Sequence, residues 1–383
     1  MKSHADIRSD RILCVLFCMF IAGFFFVSLI KPQTGFSEFE NRYMNKKPEF
    51  SLKGVMTGDY MKKYESYVTD QFPLRNQWIT CKTLTERAML KSEINGVYFA
   101  SDGYYIEKQD KKELCSEQSV KNQETLVAFA TRQQEELGKE HLAIMLVPTA
   151  SCVLREKLPV LAWEDVQEKL LSQIKERLPK EAWVDVYRHL YEHREEEIYY
   201  RTDHHWTTLG AFYGYNAWRE QQGMEPVAQT DYKRTCLSDS FLGTLYAKVS
   251  LGMKPDRIYA FERPLGALRM KLDRAGEWKD SLYSYEKLST RDQYAVFCDG
   301  NHALTEIETS VKNGKHLLLI KDSYAHCLAP FFAEDFERIT MMDLRYYNGG
   351  VEAFIKDNQV TDVLLVYNMA GFATDKFVNK LIK

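Results

Sequence analysis

Zinc-type cysteine pairing is missing from this chain: none of its eight cysteines forms a C-x-x-C pair. That excludes structural zinc sites of the usual spacing. Charge of one sign is missing too, because 51 basic residues face 54 acidic ones for a net charge of -3. Nucleic-acid binding calls for a clustered basic face, and this balance offers none. Internal repeats and low-complexity tracts are absent. With 45% hydrophobic and 27% charged residues in 383, the chain can bury a core in one large domain or two ordinary ones. Aromatics are plentiful, with 23 tyrosines. Such surfaces suit sugar stacking, and they are also ordinary in extracellular domains.

Only one long apolar run is present, Ile12 to Ile30. As a helix it spans about 28 Å, close to the hydrocarbon thickness of a bilayer. Lys2, Arg8 and Arg11 precede it, and Lys31 follows it. The basic flank predicts a cytoplasmic N-terminus and an extracytoplasmic remainder. The run exceeds a signal-peptide core, and no small-x-small cleavage site follows it. The expectation is a retained single-pass anchor in the cell membrane: 1–11 cytoplasmic, 12–30 spanning.

Six cysteines lie beyond that run: Cys81, Cys115, Cys152, Cys236, Cys298 and Cys327. An exported domain of this size does not need disulfides, and mostly free, buried thiols are expected. Residues 31–115 read as a connector followed by two helices and a hairpin. Pro73 disfavours helix in Phe72 before it, which separates a helix in 51–74 from one in 76–91. Asn95–Phe99 and Asp102–Ile106 read as hairpin strands.

From residue 116 strands and helices alternate. Strands are expected at 141–147, 183–187, 316–320, 338–341 and 363–367, and helices at 119–137, 163–178, 207–222, 325–332 and 351–356. That alternation implies an α/β fold with a mostly parallel sheet covered on both faces. Ligands in such sheets bind beyond the carboxyl ends of the strands. Residues 225–312 break the pattern and read as an insertion over the active-site edge. Such insertions serve as substrate surfaces or are inert.

Two motifs carry chemistry. Thr202-Asp203-His204-His205-Trp206 offers a carboxylate and an imidazole two residues apart, and Lys321-Asp322-Ser323-Tyr324 places a serine after the apolar strand Leu317–Ile320. A serine hydroxyl is a weak nucleophile until a base takes its proton. Neutral imidazole does this near pH 7, and a carboxylate fixes its tautomer. In an extended segment Asp203 and His205 share a side and His204 points away. Trp206 either walls the site or fills the core. Ser323 or Asp322 alone reads equally well as a helix cap. Metal binding at Asp203-His204-His205 is the rival chemistry. It needs further ligands such as His302, His316 or His326, and these lack an H-x-x-x-H spacing. No metal and no cofactor are expected.

Taken in order, Glu40-Asn41-Arg42, Asp70-Gln71-Phe72-Pro73-Leu74-Arg75, Asn95-Gly96-Val97-Tyr98, Asp203-His204-His205-Trp206 and the serine block resemble the DHHW proteins and the related alginate O-acetylation proteins. The resemblance runs from about residue 36 to the C-terminus. It implies an SGNH-hydrolase-like three-layer sandwich over 116–383, circularly permuted, with Asp203, His205 and Ser323 as the triad. It also implies a serine O-acetyltransferase acting on a cell-surface glycan, with a polytopic membrane-bound O-acyltransferase as partner. An esterase with the same triad, or a non-catalytic glycan-binding or assembly factor, are the alternatives. Lys321 departs from the related serine blocks, which often carry a small residue there. The second oxyanion donor is unassigned, with Tyr324 and Asn368 as candidates. Arg345 is a candidate substrate contact, or half of a structural ion pair with Asp343. Asp-His-His phosphoesterases need further aspartate blocks that this chain lacks. Palmitoyltransferases carry Cys where Trp206 stands and have several spans.

Overall fold

The computed structural model describes residues 4–37, 42–162, 164–264, 266–273 and 275–382. Lys2, the Glu40-Asn41 pair and the expected helix start at Trp163 lie outside them. The chain forms two compact units, 1–89 and 90–383.

The first unit is helical. Helix α1 (His4–Ile30) contains a segment, Arg8–Ile30, long and apolar enough to cross a membrane. The expected helix at 51–74 is two, α2 (Leu52–Thr57) and α3 (Asp59–Gln71). They break at Gly58, whose φ of 80° suits glycine. Helix α4 (Arg75–Ala88) follows the Phe72-Pro73 turn.

The second unit opens with a small antiparallel sheet of Glu93–Ile94, Val97–Phe99 and Tyr105–Glu107. Then follow α5 (Glu117–Leu137), β1 (Leu142–Val147), α6 (Val166–Arg177), α7 (Val186–Glu192) and α8 (Thr208–Gln221). Next come β2 (Lys233–Phe241), α9 (Thr244–Val249), β3 (Asp256–Glu262), β4 (Arg269–Leu272), β5 (Trp278–Lys279) and β6 (Leu304–Glu308). The chain ends with β7 (His316–Lys321), β8 (Arg338–Met342), α10 (Val351–Asp357), β9 (Asp362–Asn368) and α11 (Met369–Thr374).

The main sheet has seven strands in the order β5-β4-β6-β8-β7-β9-β1. Strands β8, β7, β9 and β1 are mutually parallel, while β6, β4 and β5 join by antiparallel pairing. The sheet is therefore mixed, not mostly parallel. The added strands all come from residues 225–312. They carry polar residues among the apolar ones, as in Leu304-Thr305-Glu306-Ile307-Glu308, so they lack the continuous apolar run that marks a strand buried on both faces.

Period-two alternation divides the core in two. Ala143, Met145, Leu317, Leu319, Leu364 and Val366 join α7 and α8 on one face. Leu142, Ile144, Leu318, Ile320, Val363 and Leu365 join α5, α6 and α10 on the other. Two further expectations fail locally. Residues 183–187 form one bridge, Ile144 to Trp183, before α7 begins. Residues 325–332 form short 3₁₀ turns, Ser323–Ala325 and Ala329–Glu334. None of the eight cysteines is in a disulfide, and Cys152, Cys298 and Cys327 are buried. Cys81, Cys115 and Cys236 are exposed, against the expectation of burial.

Candidate active site

Every residue of β7 is buried, and its hydrogen bonding continues one step further, as Asp322 N–H donates to the Val366 carbonyl at 3.1 Å. Asp322, not Ser323, is the cap. Its Oδ1 accepts from Tyr324 N–H at 2.9 Å, and that bond turns the chain out of the sheet. Ser323 is left half-buried at the carboxyl end of a central parallel strand.

The Asp-His-His-Trp loop is tied down from residues 225–312. Asp256 accepts from Arg201 N–H at 2.9 Å, Thr202 N–H at 2.8 Å and the Thr202 hydroxyl at 2.6 Å. The Thr202 carbonyl accepts from Leu245 and Tyr246 N–H. Gly243 backs directly onto Asp203, and a Cβ there would meet the Asp203 Cβ at 2.2 Å.

Within that loop Asp203 Oδ1 accepts from His205 N–H at 3.0 Å and lies 2.5 Å from His205 Nδ1. A side chain closing on the backbone two residues ahead is an Asx turn. The segment is therefore not extended, and His204 does not point away. Its ring lies 3.9 Å from that of His205, and its Nδ1 is 2.7 Å from Thr244 Oγ1. Asp203 Oδ2 accepts from Thr244 N–H at 2.7 Å and its hydroxyl at 3.0 Å.

His205 Nε2 lies 2.8 Å from Ser323 Oγ. The fold thus brings Asp203, His205 and Ser323 into one hydrogen-bonded chain across 118 residues of sequence. With Nδ1–H donating to Asp203, Nε2 is left to accept the serine proton. Burial and then the neighbouring His204 pull the His205 pKa down to about 4, against Asp203. Burial pushes the Asp203 carboxyl up. The two histidines and the Thr244 N–H outweigh it and hold the group well below its usual range. At neutral pH the pair is a carboxylate and a neutral imidazole, the state of a general base.

Trp206 is fully buried, and its Nε1–H donates to the Tyr324 carbonyl at 2.8 Å. Tyr324 is buried too. Its hydroxyl donates to the His204 carbonyl and its N–H to Asp322, so both of its donors are committed. Asn368 caps α11, accepting from Gly371 N–H, and it donates its N–H and one side-chain hydrogen to Asp322 Oδ2 at 2.7 and 2.6 Å. One amide hydrogen of Asn368 remains uncommitted. A cleft of about 410 Å³ is lined by Ser323, Asp322, His204, Asn368 and Arg345.

Arg345 does pair with Asp343, at 2.9 Å through Nε and 2.6 Å through one terminal nitrogen, and it still borders the cleft. Lys321 turns the other way. Its ammonium is buried 2.8 Å from His326 Nε2 and 3.3 Å from Asp343 Oδ2. Burial lowers its pKa against the opposing pull of Asp343. Tyr294 was not foreseen. Its ring stacks on His205 at 3.9 Å, and its hydroxyl donates to the Ser323 carbonyl at 3.1 Å. Thr244 and Asp256 were missed likewise, and no local pattern distinguishes them; Asp322 was read only as a possible cap, without its bonds to Asn368.

Ligand atoms of Asp203, His204 and His205 lie within 4.8 Å of one another. They are, however, hydrogen-bonded to each other and to Thr244, as a proton relay requires.

The model of the DHHW protein family matches residues 134–342, more than half of the chain. This chain belongs to the DHHW family. The match includes the loop that names the family and the serine block. A DHHW family protein from Eubacterium siraeum DSM 15702 superposes with a TM-score of 0.62 at 26% identity, covering 76% of this chain and 95% of that one. Bacillus cereus PatB1, solved with a sulfonyl adduct, superposes at 0.61 with 23% identity, covering 76% and 100%. The O-acetyltransferase domain of Pseudomonas putida AlgJ reaches 0.43 with 12% identity, covering 75% and 98%. No curated relative matches the sequence.

Proposed function

We propose that this DHHW-family chain is a membrane-anchored, extracytoplasmic serine acyltransferase of SGNH-hydrolase-like type that O-acetylates a cell-surface polysaccharide. The observation that carries the reading is the Ser323–His205–Asp203 chain, closed at 2.8 and 2.5 Å around a neutral imidazole.

Ser323 Oγ attacks the acyl carbonyl while His205 Nε2 takes the hydroxyl proton, and Asp203 stabilises the imidazolium. The oxyanion meets the Ser323 N–H and the uncommitted amide hydrogen of Asn368. Collapse expels the donor's leaving group, which takes the proton from His205. A sugar hydroxyl then attacks the acyl-serine, giving its proton to His205, and Ser323 leaves with that proton. Donors already in place against the oxyanion are the strongest lever such a site has.

On this reading α1 spans the membrane, and the site lies on the side away from cytoplasmic acyl donors. A polytopic membrane-bound O-acyltransferase is the partner that supplies the acyl group. With water as acceptor the same residues make an esterase, so acceptor choice separates the two.

The test is covalent. A serine-directed sulfonyl fluoride is expected to modify Ser323, read by peptide mass spectrometry. His205→Ala should slow the labelling by roughly a thousandfold or more, the scale of losing a triad base. Absence of label on Ser323 in folded protein would favour a non-catalytic glycan-binding or assembly role.

A further inference from the structure

Helix α4 is inside out. Its inward side carries buried Thr83 and half-buried Asn76, Thr80 and Arg87, with Ile79 as the apolar exception. Leu74 at its start, Trp78, Cys81 and Leu84 lie along the outward side, all exposed. Spacings of four, three and three place them in one stripe. Helix α3 shares the feature in part: Met61, Tyr64 and Val68 are exposed with Phe72 beyond them, while its less exposed side carries Tyr60, Tyr67 and buried Asp70. A helix in water puts its apolar stripe against a core. These two present theirs to the surroundings.

The turn that joins them adds a second, independent fact. Leu74 sits at φ 57°, in the left-handed region that favours glycine or asparagine, with its side chain 59% exposed. In water an exposed leucine there gains nothing to offset the strain. In hydrocarbon it does.

The third fact says what surrounds them. Phe72 stacks on Phe24 of α1, with ring centroids 5.5 Å apart and planes 6° apart, and Trp78 reaches the same ring at 5.8 Å. Phe24 is the one half-buried residue of 8–30, the others being exposed. It lies six residues before the end of α1, about 9 Å along the helix axis. Side chains touching it share its depth.

We propose that the α3–α4 turn and the outward stripe of α4 are seated among phospholipid acyl chains of the extracytoplasmic leaflet, beside α1. The protein then meets the bilayer through a second, non-spanning element. Lys62 and Lys63 are exposed on α3, where long cationic side chains reach phosphate headgroups. The proposal rests on α1 spanning the membrane, as the proposed function has it.

The full-length protein in phosphatidylcholine nanodiscs tests it, with acyl chains brominated near the headgroup or near the chain end. Tryptophan emission of the wild type should be quenched, more by the bromine near the chain end, since a ring at the depth of Phe24 lies about 9 Å into a leaflet of roughly 15 Å. The conservative Trp78→Phe variant should lose most of that quenching. Equal quenching in both proteins overturns the proposal. So does shielding of Trp78 in discs that hold two copies, which assigns the stripe to a second chain. Alkaline carbonate separates the two readings. Protein that stays in the membrane with Trp78 unquenched defeats this inference alone, and protein that is released defeats the anchor with it.

Discussion

His205 illustrates how a side chain's surroundings set its job. With its pKa drawn down to about 4, it is neutral and able to accept a proton everywhere above that value. It is protonated, and useless as a base, below it. The rate of Ser323 modification should therefore be flat from about pH 5.5 upward and fall with an inflection near 4. A stopped-time pH series reads this directly. Replacing His204 by alanine removes the second cause of the depression, so the inflection should move up toward the ordinary histidine value. An unshifted inflection would mean that burial alone sets it. At this scale the sequence was readable where chemistry demands particular atoms. A nucleophile, a base and its carboxylate have few substitutes, so Ser323, His205 and Asp203 stood out. Thr244 and Tyr294 did not, because threonine and tyrosine occur throughout the chain. Their partners lie 41 and 29 residues away in sequence.

Among elements, the stretch from β2 to β6 does two jobs at once. Strands β4, β5 and β6 widen the sheet, while β2, α9 and β3 hold the Asp-His-His-Trp loop. Gly243 shows how close that hold is. Its φ of -82° is open to any residue. The lack of a Cβ matters instead, because Asp203 Oδ2 lies 2.3 Å from where one would stand. Gly243→Ala should displace Asp203 and cut the labelling rate on the order of 100-fold, the cost of a misplacement near 1 Å. Gly252→Ala, with nothing within 4 Å, should leave the rate unchanged. Equal rates for both would show that Asp203 tolerates the shift. The parallel strands were legible because burial on both faces leaves an uninterrupted apolar run, as in Leu317–Ile320. The antiparallel edge was not, since strands that mix polar with apolar residues share their composition with loops. Residues 183–187 read as a strand, overlapping the first two residues of α7, because Trp183-Val184-Asp185-Val186-Tyr187 carries β-favouring residues. Tertiary context overrides that preference.

At the scale of the whole molecule, the candidate site and the apolar helix α1 fall in different units. Asp203, His205, Ser323 and all their hydrogen-bond partners lie within 90–383. A chain cut at residue 90 should fold, remain monodisperse without detergent and label at Ser323 as fast as the full protein. A rate lower by tenfold or more would give the first unit a part in the site.

The fourth letter of Asp-His-His-Trp has a different meaning from the first three. The Trp206 indole holds the serine turn by its Tyr324 carbonyl, and the Tyr324 hydroxyl holds the histidine loop by its His204 carbonyl. The two segments fasten each other in both directions, like a buckle with two prongs, and neither prong touches the reacting atoms. A descendant could exchange Ser323 for alanine and keep the buckle closed. Counting such tryptophans across genomes therefore counts architectures. A census of enzymes has to count the hydroxyl.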